Sequence, residues 1–154
     1  MSKLLTKILS MLGSFILFGM GFTGFHEYGH WQAAQFVGVP GGRIEITFTG
    51  GHYFYPDGFY PNAFQDFWVG LGGGLAVALF FAFFWIIRQK SLSFSEWDLD
   101  DSFALMAWGI GQLLYGFTES IGWYWQGGIL PMSVGFIIAL AIYGKKIRSW
   151  LQET

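Results

Sequence analysis

The chain of 154 residues contains no cysteine. That excludes a disulfide framework, a thiolate metal site and a cysteine nucleophile. Charge is scarce as well. Asp, Glu, Lys and Arg make up 12% of the residues, about half the share in a soluble domain. The basic residues form no block and the formal net charge is −2, so no nucleic-acid partner is expected. Three histidines are too few for a di-iron membrane hydroxylase.

What remains is apolar: 53% of the chain is hydrophobic, 21% is aromatic and the mean hydropathy is +0.44. Four apolar segments stand out, about Ile8 to Val37, Phe67 to Ile87, Phe103 to Gly122 and Trp123 to Tyr143. Each is near the ~20 residues that cross a bilayer as a helix. The middles of the second and fourth lack the polar face of a water-soluble helix. The first follows Lys3 and Lys7 and superficially resembles a signal peptide. It is long for such a segment and runs on into His26 and Glu27 rather than into a small-residue cleavage site, so a retained helix is expected.

Lys and Arg set the expected orientation. With four crossings, Lys3, Lys7, Arg88, Lys90, Lys145, Lys146 and Arg148 fall on one side and only Arg43 on the other. The expectation is a multi-pass integral membrane protein with both termini cytoplasmic. Its fold class is an all-α membrane protein of about four transmembrane helices in a single domain over residues 1–154. A short extracytoplasmic β-hairpin lies between helices one and two. Residues Arg43 to Thr49 alternate polar and apolar, a strand signal. Gly50-Gly51 suits the turn, His52 to Tyr55 the return strand, and Pro56-Asp57-Gly58 its end. The acidic stretch Gln89 to Asp101, with Glu96, Asp98, Asp100 and Asp101, reads as a solvated cytoplasmic linker.

Chemistry concentrates in His26-Glu27-Tyr28-Gly29-His30. On a helix, this His-Glu-x-x-His spacing puts two imidazoles on one face, able to share a zinc ion. The intervening glutamate lies where it can take a proton from water. Three ionisable residues this close together in a membrane helix are costly and usually functional. An interfacial helix end is the plainer alternative; it leaves the metal-binding spacing of the two histidines unexplained.

A third protein ligand completes an open catalytic zinc site. Glu119 is the one charged residue of the third apolar segment, and a lone carboxylate there needs a partner. From Lys7 to His26 is 19 residues, and from Asp101 to Glu119 is 18. At ~1.5 Å per residue both reach nearly the same depth, roughly 27–29 Å. His52, Asp57 and Asp66, in or beside the outer loop, are the rivals for this role.

The segment Gly24 to His30 resembles the zinc helix of the site-2 protease family of intramembrane metallopeptidases. That resemblance implies a following β-sheet, a second helix with a Gly-Pro-x-x-Asn type motif, and a third helix with an acidic zinc ligand. It covers roughly residues 8 to 122. The second-helix motif aligns with Gly73 to Val77, so Gly74 stands for the family's proline and Val77 for its asparagine. The third helix has Glu119 in place of the usual Asp-Gly pair.

The expected function is therefore a zinc endopeptidase that cleaves transmembrane or membrane-proximal segments of membrane proteins within the lipid bilayer. Zn2+ would lie on His26, His30 and Glu119, with Glu27 as general base. Gly73, Gly74, Ile46 and Phe48 would contact substrate, the hairpin edge accepting an extended strand. Two alternatives stay open: a non-proteolytic membrane binding protein of the same fold, with or without zinc, and a structural four-helix protein without metal.

Overall fold

The computed structural model describes residues 5, 6, 8, 9, 12, 13, 22–47, 50–90, 97–123 and 126–152. Among them are α1 (Thr23–Phe36), β1 (Arg43–Thr47), β2 (Gly50–Phe54), α2 (Ala63–Lys90), α3 (Trp97–Ser120) and α4 (Gln126–Gln152). Most of the expected first apolar helix before Thr23 lies outside the described residues. Among the described residues two helices are long and apolar enough to cross a membrane: α2 over Ala63–Arg88, with mean hydropathy 2.1, and α4 over Gly128–Ser149, with 1.6.

Local sequence explains the helix ends. α1 closes on Gly38, whose φ is +79°. The Val39 amide reaches the Ala34 carbonyl at 2.9 Å, and the Gly38 amide reaches Gln35 at 3.2 Å. That pair of bonds is a Schellman stop, and its apolar contact joins Val39 to Ala34 and Val69. Asn62 opens α2 with a reciprocal cap: Gln65 N donates to Asn62 Oδ1 at 2.9 Å, and Asn62 N donates to Gln65 Oε1 at 3.1 Å. α3 ends as α1 does, on Gly122 (φ +82°). The Trp123 amide bonds Thr118 O at 2.8 Å and the Gly122 amide bonds Glu119 O at 2.9 Å. Glu119 therefore sits in a capped last turn.

Sequence boundaries shift in two places. α3 begins at Trp97, so Asp98, Asp100 and Asp101 belong to its opening turns rather than to a linker. Arg88 of α2 then pairs with Asp101 at 3.1 Å. The hairpin register also differs. Thr47 pairs with Gly50, and Ile46 with Gly51, which puts both glycines in β2 rather than in the turn. Phe48 and Thr49 lie outside the described residues.

Packing runs in chain order, α1 on α2, α2 on α3, α3 on α4. Glycine sets the spacing. A Cβ on Gly29 would come 2.6 Å from Gly72 O, and one on Gly70 would come 2.7 Å from Ser120 Cα. A Cβ on Gly74 would strike Gln112 O and Gly116. Gly72 thus faces α1, while Gly70 and Gly74, one turn apart, face α3. Small residues at such spacing let backbones touch, the usual basis of helix association in lipid. Beyond the glycines, Val77, Phe81 and Leu105 close the core between α2 and α3.

Candidate metal centre

α1 buries His26, Glu27, Gly29, His30 and Ala34. The i, i+4 step puts His26 and His30 on one face, their ring centroids 4.6 Å apart. Glu119 meets them from α3. Its Oε2 lies 3.0 Å from His26 Nε2 and 3.6 Å from His30 Nε2. All three side chains are nearly inaccessible to solvent. His26, Glu27 and His30 offer ligand atoms within 4.8 Å of one another, a cluster that could hold a metal ion. Of the two carboxylates, Glu119 is aimed at the imidazole nitrogens, whereas Glu27 is held by the hairpin.

Second contacts orient these groups. His30 Nδ1–H donates to the Val69 carbonyl at 2.6 Å. That fixes the tautomer and leaves the Nε2 lone pair facing the cluster, the usual support of a metal-binding imidazole. The Gly73 amide, 3.3 Å from the same nitrogen, is the longer and weaker contact. His26 stacks on Tyr115 of α3 at 5.4 Å and 27°. Glu27 receives a backbone hydrogen bond from Tyr53 of β2. A Cβ on Gly51 would collide with the Glu27 side chain, so β2 lies directly against that residue. The strand is anchored by the Tyr53 hydroxyl, which donates to Gly41 O at 2.8 Å; burial raises that phenol's pKa.

The donor set is one that could hold a metal ion. It offers two imidazoles and a carboxylate, without thiolate. Gly73 gives an independent sign. A Cβ there would come 2.7 Å from His26 Nε2 and 2.6 Å from His30 Cε1. The space in front of both ligand nitrogens is kept clear by the absence of a side chain. A cavity of about 120 Å³ adjoins Glu27, His30, Gly70 and Glu119, with His52 and Asp66 also on its wall. At ~30 Å³ per liquid water it holds a few water molecules.

The remaining sequence candidates separate. Asp66 accepts a hydrogen bond from Tyr55 OH at 2.9 Å. Asp57 is exposed in the turn before α2. Gly73 is at the cluster, but Gly74 turns to α3. Ile46 Cδ1 is the nearest atom, at 3.3 Å, to a Cβ built on Gly24 of α1. Phe48 lies outside the described residues. Sequence reading overlooked Tyr115, Gly51, Tyr53 and the Val69 carbonyl. Only Tyr115 left a trace, one helical turn before Glu119. Comparisons with family models, curated proteins and solved structures gave no match.

Proposed function

We propose that the chain is a membrane-embedded zinc endopeptidase of site-2 protease type, acting on peptide bonds in or near transmembrane segments of other membrane proteins. One observation carries the reading. Two α1 imidazoles and a carboxylate 93 residues from His26 converge, all nearly inaccessible to solvent, beside a separate glutamate that lines a cavity of about 120 Å³. His26, His30 and Glu119 would hold the zinc. Bound there, zinc supplies Lewis acidity that brings the pKa of water towards neutrality.

The chain's own groups do the rest. Glu27 accepts the proton of the attacking water and returns it to the leaving amine. The Tyr53 amide holds that carboxylate in place. Val69, through His30, keeps one imidazole in its ligating tautomer. The membrane setting is supported by how little of the two apolar spans is covered. Only 33% of one and 22% of the other is buried, and Leu79, Phe83, Ile87, Ile129, Ile137 and Ile142 point outward. Such a surface suits lipid and not water. Four crossings with cytoplasmic termini is the arrangement we favour.

A second reading, a metal-binding protein without peptidase activity, draws on Val77. That side chain is fully buried where the resembled family carries an amide. The deciding experiment is metal analysis of purified wild type and Glu27→Gln, with hydrolysis of a fluorogenic transmembrane peptide in liposomes. Both proteins should hold stoichiometric zinc, and the variant should lose about 10²–10⁴-fold in rate. Zinc without hydrolysis in wild type would favour the second reading. Absence of zinc would leave a structural helix bundle.

A further inference from the structure

We infer that Tyr115 is the positioning residue of His26, its ring fixing the plane of that ligand as the Val69 carbonyl fixes His30; this rests on the metal site of the protease reading. The two imidazoles are supported unequally. His30 is tied through Nδ1 to a backbone carbonyl of α2. Among the described residues, nothing accepts a hydrogen bond from Nδ1 of His26. Its one ring hydrogen bond joins Nε2 to Glu119 Oε2 at 3.0 Å. Both are ligand atoms, so the contact between them is given up when a metal is bound. In the loaded site that bond orients nothing.

A histidine ring needs an outside partner to set its plane. In a helix χ1 settles into a few wells, but the χ2 torsion to a planar ring is broad. Metal-binding imidazoles are usually set by a hydrogen bond from the second nitrogen. At His26 an aromatic face stands in that place. The Tyr115 ring lies 5.4 Å from the His26 ring, centroid to centroid, with 27° between the planes. Those values are within the range of offset stacking. Turning the imidazole about χ2 breaks the face-to-face contact and drives a ring edge towards the phenol. The His30 ring meets His26 edge on, at 4.6 Å and 84°, but it is itself a ligand.

The backbone beneath Tyr115 is firm. Gly116, the next residue, is pressed against α2: a Cβ there would come 2.9 Å from Leu71 O and 3.1 Å from Gly74 Cα. Glu119 follows Tyr115 by four residues, so both lie on one face of α3. One pinned helix therefore delivers a ligand and the support of another ligand together. What the stack requires of residue 115 is a flat ring; the hydroxyl has no part in it.

The test is metal binding by the full chain in detergent micelles. The probe is Co2+, whose d–d absorption reports the number and geometry of its ligands. Tyr115→Leu and Tyr115→Met keep bulk and remove the plane. Each should weaken cobalt and zinc binding by about tenfold, the lower end of what loss of a ligand's orienting partner costs, and should alter the cobalt spectrum. Tyr115→Phe should bind as wild type does and give the same spectrum. Helical content and the melting temperature of the metal-free chain should differ little among the four proteins. Peptide hydrolysis lost in Tyr115→Leu should return with excess zinc, because Glu27 is untouched.

Cobalt binding by Tyr115→Leu and Tyr115→Met as tight as wild type overturns the inference and spares the metal site. Loss in Tyr115→Phe equal to that in Tyr115→Leu also overturns it, because the hydroxyl and not the plane would then matter. Metal loss that merely follows a fall in the melting temperature of the metal-free chain makes Tyr115 a packing residue and overturns it too. Tight cobalt binding that depends on an aromatic ring, without hydrolysis by wild type, upholds the inference and removes the protease reading.

Discussion

Single atoms decide the centre. Gly73 and Gly74 are neighbours in sequence, yet an added methyl meets the two imidazoles at one and the α3 backbone at the other. Gly73→Ala should lower zinc affinity by at least about tenfold, the scale on which the surroundings of a ligand act, with helical content unchanged. Gly74→Ala should instead separate α2 from α3 and cost about 1–3 kcal/mol, as overpacking does, seen as a lower melting temperature. Equal zinc loss in both would show that the glycines act only through packing. Glu119→Ala should lose zinc, whereas His52→Ala, Asp57→Ala and Asp66→Ala should keep it. Retention by Glu119→Ala alongside loss in one of the other three would move the third ligand to the loop.

At the scale of elements, the hairpin lies over the site as well as beside it. β2 contacts Glu27 through Gly51, and the cavity beneath, about 120 Å³, has room for a few water molecules. Gly51→Ala forces either β2 or Glu27 to move. Hydrolysis should fall by about tenfold or more, since misplacing a catalytic group by ~1 Å can cost about 10²-fold. Zinc should stay bound, because no ligand is touched. Metal loss in that variant would mean that β2 supports the ligands and not only the base. α3 carries the other side of the centre. Its Schellman stop at Gly122 fixes the last turn, and Tyr115 and Glu119, four residues apart, hold His26 from two sides.

For the whole molecule, the proposed arrangement across a membrane is open to direct measurement. Gly51 is unsuited to labelling because it abuts Glu27. Tyr60, almost fully exposed, and Gln152, also exposed, take its place. In intact cells a membrane-impermeant thiol reagent should label Tyr60→Cys and leave Gln152→Cys silent. The opposite pattern would invert the proposed topology. With no cysteine in the chain, each variant reports a single site.

The sequence by itself indicated the helical segments, the hairpin and the spacing that pairs His26 with His30. Each depends on spacing within one short stretch, which periodicity and turn residues encode locally. It also offered Glu119 as a partner for the histidines, on the expectation that helices of equal length reach equal heights. Depth leaves rotation about the helix axis open. Tertiary structure alone aimed Glu119 Oε2 at both Nε2 atoms, put Gly73 in front of them and turned Gly74 away. It also moved Gly50 and Gly51 out of the turn and into β2, since register is set by pairing across the hairpin and by the contact with Glu27.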